Sequence, residues 1–286
     1  MTATPISPAA QKRYARVLSI AGSDSGGGAG IQADLKTFSA LGCYGMTAIT
    51  AITVQNTLGV TGIHGIPLET VRGQIDAVVE DIGADAVKIG MLATPEVVRV
   101  VADAIRRHGL RNVVLDPVMV ATSGDRLIAP ETARVLVEEL FPLASVITPN
   151  LDEAALLLGR NIAGIADLDR AVADLLALGA PAVLLKGGHL SGELVVDVLG
   201  QNGQGADQYL RLQSARIATH NGHGTGCTLS SAIAAFLAQG LPLAQAVGEA
   251  RGYILGAIAA GADVHTGHGH GPLNHGHAPR AQIIIG

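Results

Sequence analysis

The run Gly222-His223-Gly224-Thr225-Gly226-Cys227-Thr228, followed by Leu229, Ile233, Phe236 and Leu237 at helical spacing, is a glycine-rich turn opening a helix. The unpaired N–H groups and positive dipole end of such a helix attract an anion, and glycines let a phosphate reach the backbone. Cys227 falls in the first turn, where the dipole lowers a thiol pKa from about 8.5 and favours thiolate. A thiolate beside a bound phosphate is placed to take the proton of an attacking hydroxyl. The same residues also suit a plain helix start with a small buried cysteine.

A second glycine-rich run, Gly22 to Gly30, follows a strand and precedes a helix. Gly28-Ala29-Gly30 lacks the third glycine of a dinucleotide fingerprint, and no Gly-Lys-Ser/Thr of a P-loop occurs. It reads as a flexible flap over a small substrate. Asn150-Leu151-Asp152-Glu153 follows another strand, with Glu three residues after Asn. That spacing makes a helix capping box. It also suits Glu153 near a magnesium ion bridging ATP phosphates, and both readings can hold together. Lys186 ends a strand, where a bound anion would offset its burial.

The tail carries His265, His268, His270, His275 and His277 among the chain's ten histidines. Such density suggests transition-metal binding. Gly and Pro separate them, however, with no helix face to build a closed site, so a loop closing over the active site is the better expectation.

The elements that position these groups are short. Val17–Ile20, Ala86–Ile89, Val113–Leu115, Val146–Ile147 and Ala182–Leu185 are continuous apolar runs, as in strands buried on both faces of a parallel sheet. Between them run helical stripes: Val71, Ile75, Val78, Val79 and Ile82; Val97, Val98, Val101 and Ile105; Leu168, Val172, Leu175 and Leu176. Thr94-Pro95-Glu96 starts the second and Gly109 stops it. The alternation predicts a three-layer α/β/α fold, its mostly parallel sheet covered by helices on both faces. Ligands of such sheets bind beyond the carboxyl ends of the strands. The runs end there in Gly22-Ser23-Asp24, Gly90-Met91, Asp116-Pro117, Thr148-Pro149-Asn150 and Lys186-Gly187-Gly188, which should gather along one rim.

Composition narrows the classes. The chain has 286 residues, 48% apolar, with no Trp and only three Phe, so Val, Leu, Ile and Ala must pack the core. A net charge of −5 provides no broad basic surface for nucleic acid. Cys43 and Cys227 are too few for a disulfide framework and fit a reducing, cytoplasmic setting. No stretch approaches the roughly 18 to 20 apolar residues of a membrane span. Residues 1–15 read as a flexible lead-in, and 16–286 as one domain without linker or repeat.

Taken in order, several segments resemble one family. Ala21 to Asp24 with Gly30 to Gly42, Val54 to Thr57, Lys88 to Leu92, Asp116 to Val120 and Ile147 to Asn150 are similar to hydroxymethylpyrimidine/phosphomethylpyrimidine kinases of thiamine synthesis. So are Lys186 to Leu190, His223 to Thr228 and Gly269 to His275, and the likeness spans about residues 16 to 277. It implies a ribokinase-like fold, use of ATP and magnesium, and two successive phosphorylations of the pyrimidine, first to the monophosphate and then to the diphosphate. It implies that Gly22, Asp34, Gln55, Met91 and Val118 hold the pyrimidine. It assigns Lys186, Asn150 and Thr225 to ATP, Glu153 and Asp116 to the metal, and Cys227 with Gly224 and Gly226 to catalysis. A homodimer is implied as well.

The chain departs from the family at four places. Gly26 stands where Ser is usual, Thr122 where Lys is common before Ser123-Gly124, and Gly222 and Gly276 where Thr and Phe are usual. None of these touches the pyrimidine set. Pyridoxal/pyridoxine kinase, whose substrate carries a hydroxymethyl on a similar ring, is the alternative. A binding protein without catalysis is disfavoured by Cys227, Glu153 and Lys186 together, and an oxidoreductase lacks its fingerprint.

Overall fold

The structure is a computed structural model that describes residues 12–119 and 128–286. The departure at Thr122 and most of the lead-in lie outside the described residues.

In chain order the elements are β1 (Arg13–Tyr14), β2 (Arg16–Ala21), α1 (Gly30–Ala40), β3 (Tyr44–Ile49), β4 (Ala51–Asn56), β5 (Gly59–Gly65), α2 (Leu68–Asp81), β6 (Ala86–Ile89), α3 (Pro95–His108) and β7 (Val113–Leu115). They continue with α4 (Pro130–Leu140), β8 (Val146–Ile147), α5 (Leu151–Leu158), α6 (Leu168–Ala177), β9 (Ala182–Leu185), β10 (Leu194–Gln201), β11 (Leu210–Ala215), α7 (Thr225–Ala238), α8 (Leu243–Gly261) and β12 (Ile284–Ile285). The main sheet has eight strands in the order β11-β10-β9-β8-β7-β6-β2-β3. From β3 to β9 all neighbours are parallel, while β10 and β11 close the far edge antiparallel.

The strands are buried on both faces because their residues feed two cores in alternation. Leu18, Ile20, Val87, Ile89, Val113, Leu115 and Ile147 pack with α2, α3, α5 and α6 on one side. Val17, Ala86, Val114, Val146 and Leu184 pack with α1, α7 and α8 on the other. The two polar residues in these central strands, Ser19 and Lys88, point toward the second layer, where Asp34 of α1 meets them. Helix α3 shows the expected local signals. The Thr94 hydroxyl accepts from the Val97 N–H, Pro95 takes the first helical position, and Gly109 ends the helix in the left-handed region.

Two features were not expected. Strands β4 and β5 form a separate hairpin that leaves the sheet after β3 and stands over the carboxyl ends of the strands. Arg13 and Tyr14, placed in the lead-in, pair with Ile285 and Ile284, so the two ends of the described chain meet.

Candidate active site

The loop before α7 is shaped by Gly224. Its φ of +84° is left-handed, and a Cβ there would collide with the Gly28 carbonyl, so two constraints demand glycine. Thr225 tightens the turn. Its N–H and hydroxyl both donate to the Gly222 carbonyl, at 3.3 and 2.7 Å. Of the unpaired N–H groups expected at this helix start, that of Thr225 is spent on the turn. Gly226 and Cys227 are the second and third residues of α7, whose N–H groups the helix cannot pair.

Cys227 is where the second correction falls. Burial pushes its thiol pKa up, and the Asp34 and Asp116 charges add to this; Lys88 and the Gly30 N–H pull it down without prevailing. The resting group is therefore a thiol, not the thiolate expected from helix position alone. Desolvation of a charge outweighs the dipole here.

Beneath the loop lie two buried ion pairs. Lys88 Nζ is 2.8 and 2.9 Å from the two Asp34 oxygens. Lys186 Nζ is 2.9 Å from Asp116 Oδ1, which also accepts from the Thr148 hydroxyl at 2.9 Å. Asp34 is fully buried, with Ser19 and Ser231 hydroxyls completing its shell, so it supports the floor of the site and is not itself in the wall of the ring cavity. Asp116 lines the cavity with Oδ1 committed to Lys186 and Thr148, while its Oδ2 has only the Ser230 hydroxyl at 3.4 Å. Glu153 is more available. It completes the capping box with Asn150, with its N–H on Asn150 Oδ1 at 2.9 Å and its Oε2 on the Asn150 N–H at 2.8 Å. Its carboxyl is pushed up to about 7, mainly by burial; Asp116 adds to this and Lys186 opposes it.

Gln55, Met91, Val118 and Gly22 come together around one cavity of about 230 Å³, with Lys88 and Cys227 also in its wall. Gly22 supplies space: a Cβ on it would stand 2.9 Å from Met91 Cε. A second cavity of about 390 Å³ adjoins the first and shares Asn150, Lys186, Thr225 and Gly226 with it. Its far wall is apolar, with Leu229, Ile254 and Ile258, and is braced by the buried pair Arg251–Asp197 at 2.8 Å. The two cavities therefore meet at the anion loop.

The glycine-rich run is no loose flap. Asp24 gathers it, accepting from the N–H groups of Gly26, Gly28 and Ala29 at 2.8, 3.0 and 2.8 Å. His223 Nε2 lies 2.8 Å from the same carboxylate and ties the run to the anion loop. The histidine tail neither lines the first cavity nor forms a metal cluster among the described residues. It packs behind the anion loop, where His275 is 2.9 Å from the Thr228 hydroxyl and Gly271 accepts from the His223 N–H. Sequence reasoning gave no role to Lys88, Asp24 or His223. A signal for Lys88 was present: a lysine inside a continuous apolar strand requires a buried carboxylate.

Comparison with known proteins points to one family. The phosphomethylpyrimidine kinase family model matches residues 24–274. A hydroxymethylpyrimidine/phosphomethylpyrimidine kinase of Rhizobium meliloti (strain 1021) is 55% identical over 261 residues, covering 91% of this chain and 96% of the relative. The crystal structure of a phosphomethylpyrimidine kinase from Clostridium difficile 630 superposes with a TM-score of 0.75 at 44% identity, covering 85% of this chain and 99% of that one. The ADP complex of a Bacillus subtilis pyridoxal kinase gives a TM-score of 0.85 at 40% identity, covering 93% and 98%. With a matching family model over most of its length and relatives at such identity, the chain belongs to the phosphomethylpyrimidine kinase family.

Proposed function

We propose that this chain moves the terminal phosphoryl group of ATP onto the hydroxymethyl group of 4-amino-5-hydroxymethyl-2-methylpyrimidine, and a second one onto the resulting monophosphate, in thiamine biosynthesis. The observation that carries the reading is the pair of cavities meeting at Thr225 and Gly226. One is small and lined by Gln55, Met91 and Val118, which suits a flat ring with a polar edge. The other is larger, with an apolar wall suited to a base and Lys186 near the join.

In this reading the ring edge pairs with the Gln55 amide while Met91 and Val118 pack its faces. ATP lies along the second cavity with its phosphates toward Asn150, Lys186 and the first turn of α7. The free N–H groups of Gly226 and Cys227 take the charge that spreads over the transferring group, which is the larger part of catalysis in phosphoryl transfer. Cys227 accepts the hydroxyl proton only as thiolate, a form favoured by Lys88 and opposed by burial. Magnesium fits at Glu153, a buried carboxyl whose ionised form lacks a full counter-charge, and would neutralise the phosphates there.

Cytoplasmic location and a homodimer belong to the same proposal. Cys43 and Cys227 are free thiols, and no helix among the described residues is long and apolar enough to cross a membrane. Ile52 and Val54, alternating with the cavity-lining Thr53 on β4, are 42% and 62% exposed, which favours a covering second copy.

The test is ATP-dependent phosphorylation of the hydroxymethylpyrimidine, its monophosphate and pyridoxal in parallel, with products resolved by mass. Diphosphate formed from the pyrimidine supports the reading. The likeness to pyridoxal kinases favours a second one, and phosphorylation of pyridoxal alone would establish that instead.

A further inference from the structure

We infer that His223, backed by Asp24, receives the phosphate already carried by the substrate in the second phosphorylation. The inference rests on the proposed function. The two acceptors differ in charge at one place: the first presents a neutral hydroxymethyl group, the second a phosphate dianion on the same carbon. With the ring held at Gln55 and Met91, that phosphate must lie between Gln55 and the first turn of α7. A buried dianion needs a donor with positive charge.

The obvious cations of the cavity are already matched. Lys88 is paired with Asp34 at 2.8 Å, and Lys186 with Asp116 at 2.9 Å. The N–H groups of Gly226 and Cys227 face the group in transit. Of the two cavity-lining histidines, His189 holds Asp152 at 2.8 Å, while His223 holds Asp24 through Nε2 alone and keeps its second ring nitrogen to give. It directly precedes Gly224, and its Nε2 lies 3.5 Å from the Gln55 amide nitrogen, so it stands between the ring site and the anion loop.

Its surroundings engage one ring nitrogen and leave the other free among the described residues. Asp24 is 1% exposed and takes Nε2 at 2.8 Å. Burial raises the Asp24 pKa, but His223 and the N–H groups of Ala29 and Gly26 outweigh it and hold the carboxyl below its usual range, so it remains an anion. The ring's Cδ2 edge packs on Gly28, where an added Cβ would stand 2.5 Å from it. That turns Nδ1, on the other side of the ring, away from the glycine-rich run. Among the described residues Nδ1 has no hydrogen-bond partner. A proton on Nδ1 makes the ring a cation with one N–H on Asp24 and one to give, and a phosphate oxygen is the matching acceptor. The hydroxymethyl substrate offers no such acceptor charge.

The experiment measures kcat/KM separately for the hydroxymethylpyrimidine and for its monophosphate, in wild type and in His223→Gln. Glutamine keeps an N–H for Asp24 but carries no charge. The ratio of the second constant to the first should fall ten- to hundredfold, the effect of one hydrogen bond to a charged group. The fall should appear mainly as a raised KM for the monophosphate. A reaction started from the hydroxymethylpyrimidine should then accumulate monophosphate. Should both constants fall by one factor, His223 only braces the loops and the inference is overturned; an unchanged ratio overturns it too. A wild type that phosphorylates neither pyrimidine overturns the functional reading and the inference with it, which sets that failure apart. His223→Ala, losing the tie to Asp24 as well, should lower the ratio at least as far.

Discussion

Lys88 and Asp34 form an ion pair from which water is excluded, with Nζ 2.8 and 2.9 Å from the two carboxylate oxygens and no solvent exposure on either side chain. Hydroxyls of Ser19 and Ser231 donate to the same oxygens at 2.6 and 2.7 Å, so strands β2 and β6 and helices α1 and α7 are joined at one point. Burial opposes the Lys88 charge, but Asp34 prevails and holds its pKa above the usual lysine value. Removing one partner strands the other charge. Asp34→Ala should therefore cost about 3–5 kcal/mol of stability. Asp34→Ala with Lys88→Met should cost less than Asp34→Ala alone. Urea unfolding of the three proteins measures this. A changed pyrimidine KM in a fully folded Asp34→Ala protein, with stability intact, would return Asp34 to the substrate site.

Gln55 is a polar group of the ring cavity, and its Oε1 accepts from the Thr53 hydroxyl at 3.1 Å, which orients the amide. Leaving a buried ring donor without its partner costs about 1–3 kcal/mol. Gln55→Ala should raise the pyrimidine KM by roughly ten- to hundredfold and leave the KM for ATP close to wild type. Steady-state kinetics with each substrate varied in turn decides it.

The parts of the fold legible in the sequence were those set by one physical signal. Ala86–Ile89, Val113–Leu115, Val146–Ile147 and Ala182–Leu185 are strands at the expected bounds, because burial on both faces leaves continuous apolar runs. The edge strands escaped notice. In β10, Asp197 interrupts the apolar run because it pairs with Arg251 from a helix far along the chain. The β4–β5 hairpin turns at Thr57-Leu58 without an Asn-Gly signal, and its cavity face mixes polar Thr53 and Gln55 with apolar Val60 and Ile63 because it lines a site. Within the site, local motifs were readable: the capping box at Asn150 and Glu153, and the glycines of the anion loop. The Lys88 pairing of Asp34 and the raised thiol pKa of Cys227 were not legible for a shared reason. Both depend on burial and on charges from other elements, which spacing along the chain does not encode.

Glu153 ties magnesium to pH. Its carboxyl ionises near its ordinary value of 4.5 when unfolded and at about 7 in the fold. Between those values the unfolded chain binds fewer protons, so without metal the Glu153 contribution to stability falls as pH rises through this window. A cation binds the ionised form and releases the proton. Magnesium affinity should thus weaken about tenfold for each pH unit below 7. In Glu153→Gln that slope should vanish and the magnesium requirement should rise, although Gln still completes the capping box. Magnesium titrations of activity between about pH 5 and 8 check both, and wild-type kinetics in the variant would leave Glu153 as a cap alone.

His275 contributes a slope of the opposite sign. Burial lowers its pKa from 6.5 to about 4, with Lys36 and His277 acting in the same direction. Between these values the unfolded state takes up a proton that the folded state refuses, so stability falls as pH drops from about 6.5 toward 4. The shift corresponds to roughly 3 kcal/mol by pH 4. The Glu153 and His275 slopes oppose one another in the acid range, so wild type alone will show little. His275→Gln should lower stability at neutral pH, where its bond to Thr228 is lost, and flatten the acid fall. Thermal unfolding across this range, compared with Glu153→Gln, separates the two groups.

Cys227 offers the sharpest division between two accounts of catalysis. If the thiol removes the hydroxyl proton, its loss should cost about 10²–10⁴ in kcat, the usual contribution of a general base. If the N–H groups of Gly226 and Cys227 carry the reaction, Cys227→Ala keeps those groups and loses little. The thiol lies above its ordinary pKa because burial and the neighbouring Asp34 and Asp116 outweigh Lys88. A base of that kind gives a rate that climbs with pH well into the alkaline range, since only the small thiolate fraction works. Cys227→Ala should lose that climb together with the rate, and Cys227→Asp should recover part of the rate with a limb shifted to lower pH. Lys88→Met removes the charge that favours thiolate, so in whatever fraction folds the alkaline limb should move higher. A Cys227→Ala enzyme with near-normal kcat and an unaltered pH profile would show that the anion loop alone does the chemistry. The cysteine would then be no more than a small residue that fits the first turn of α7.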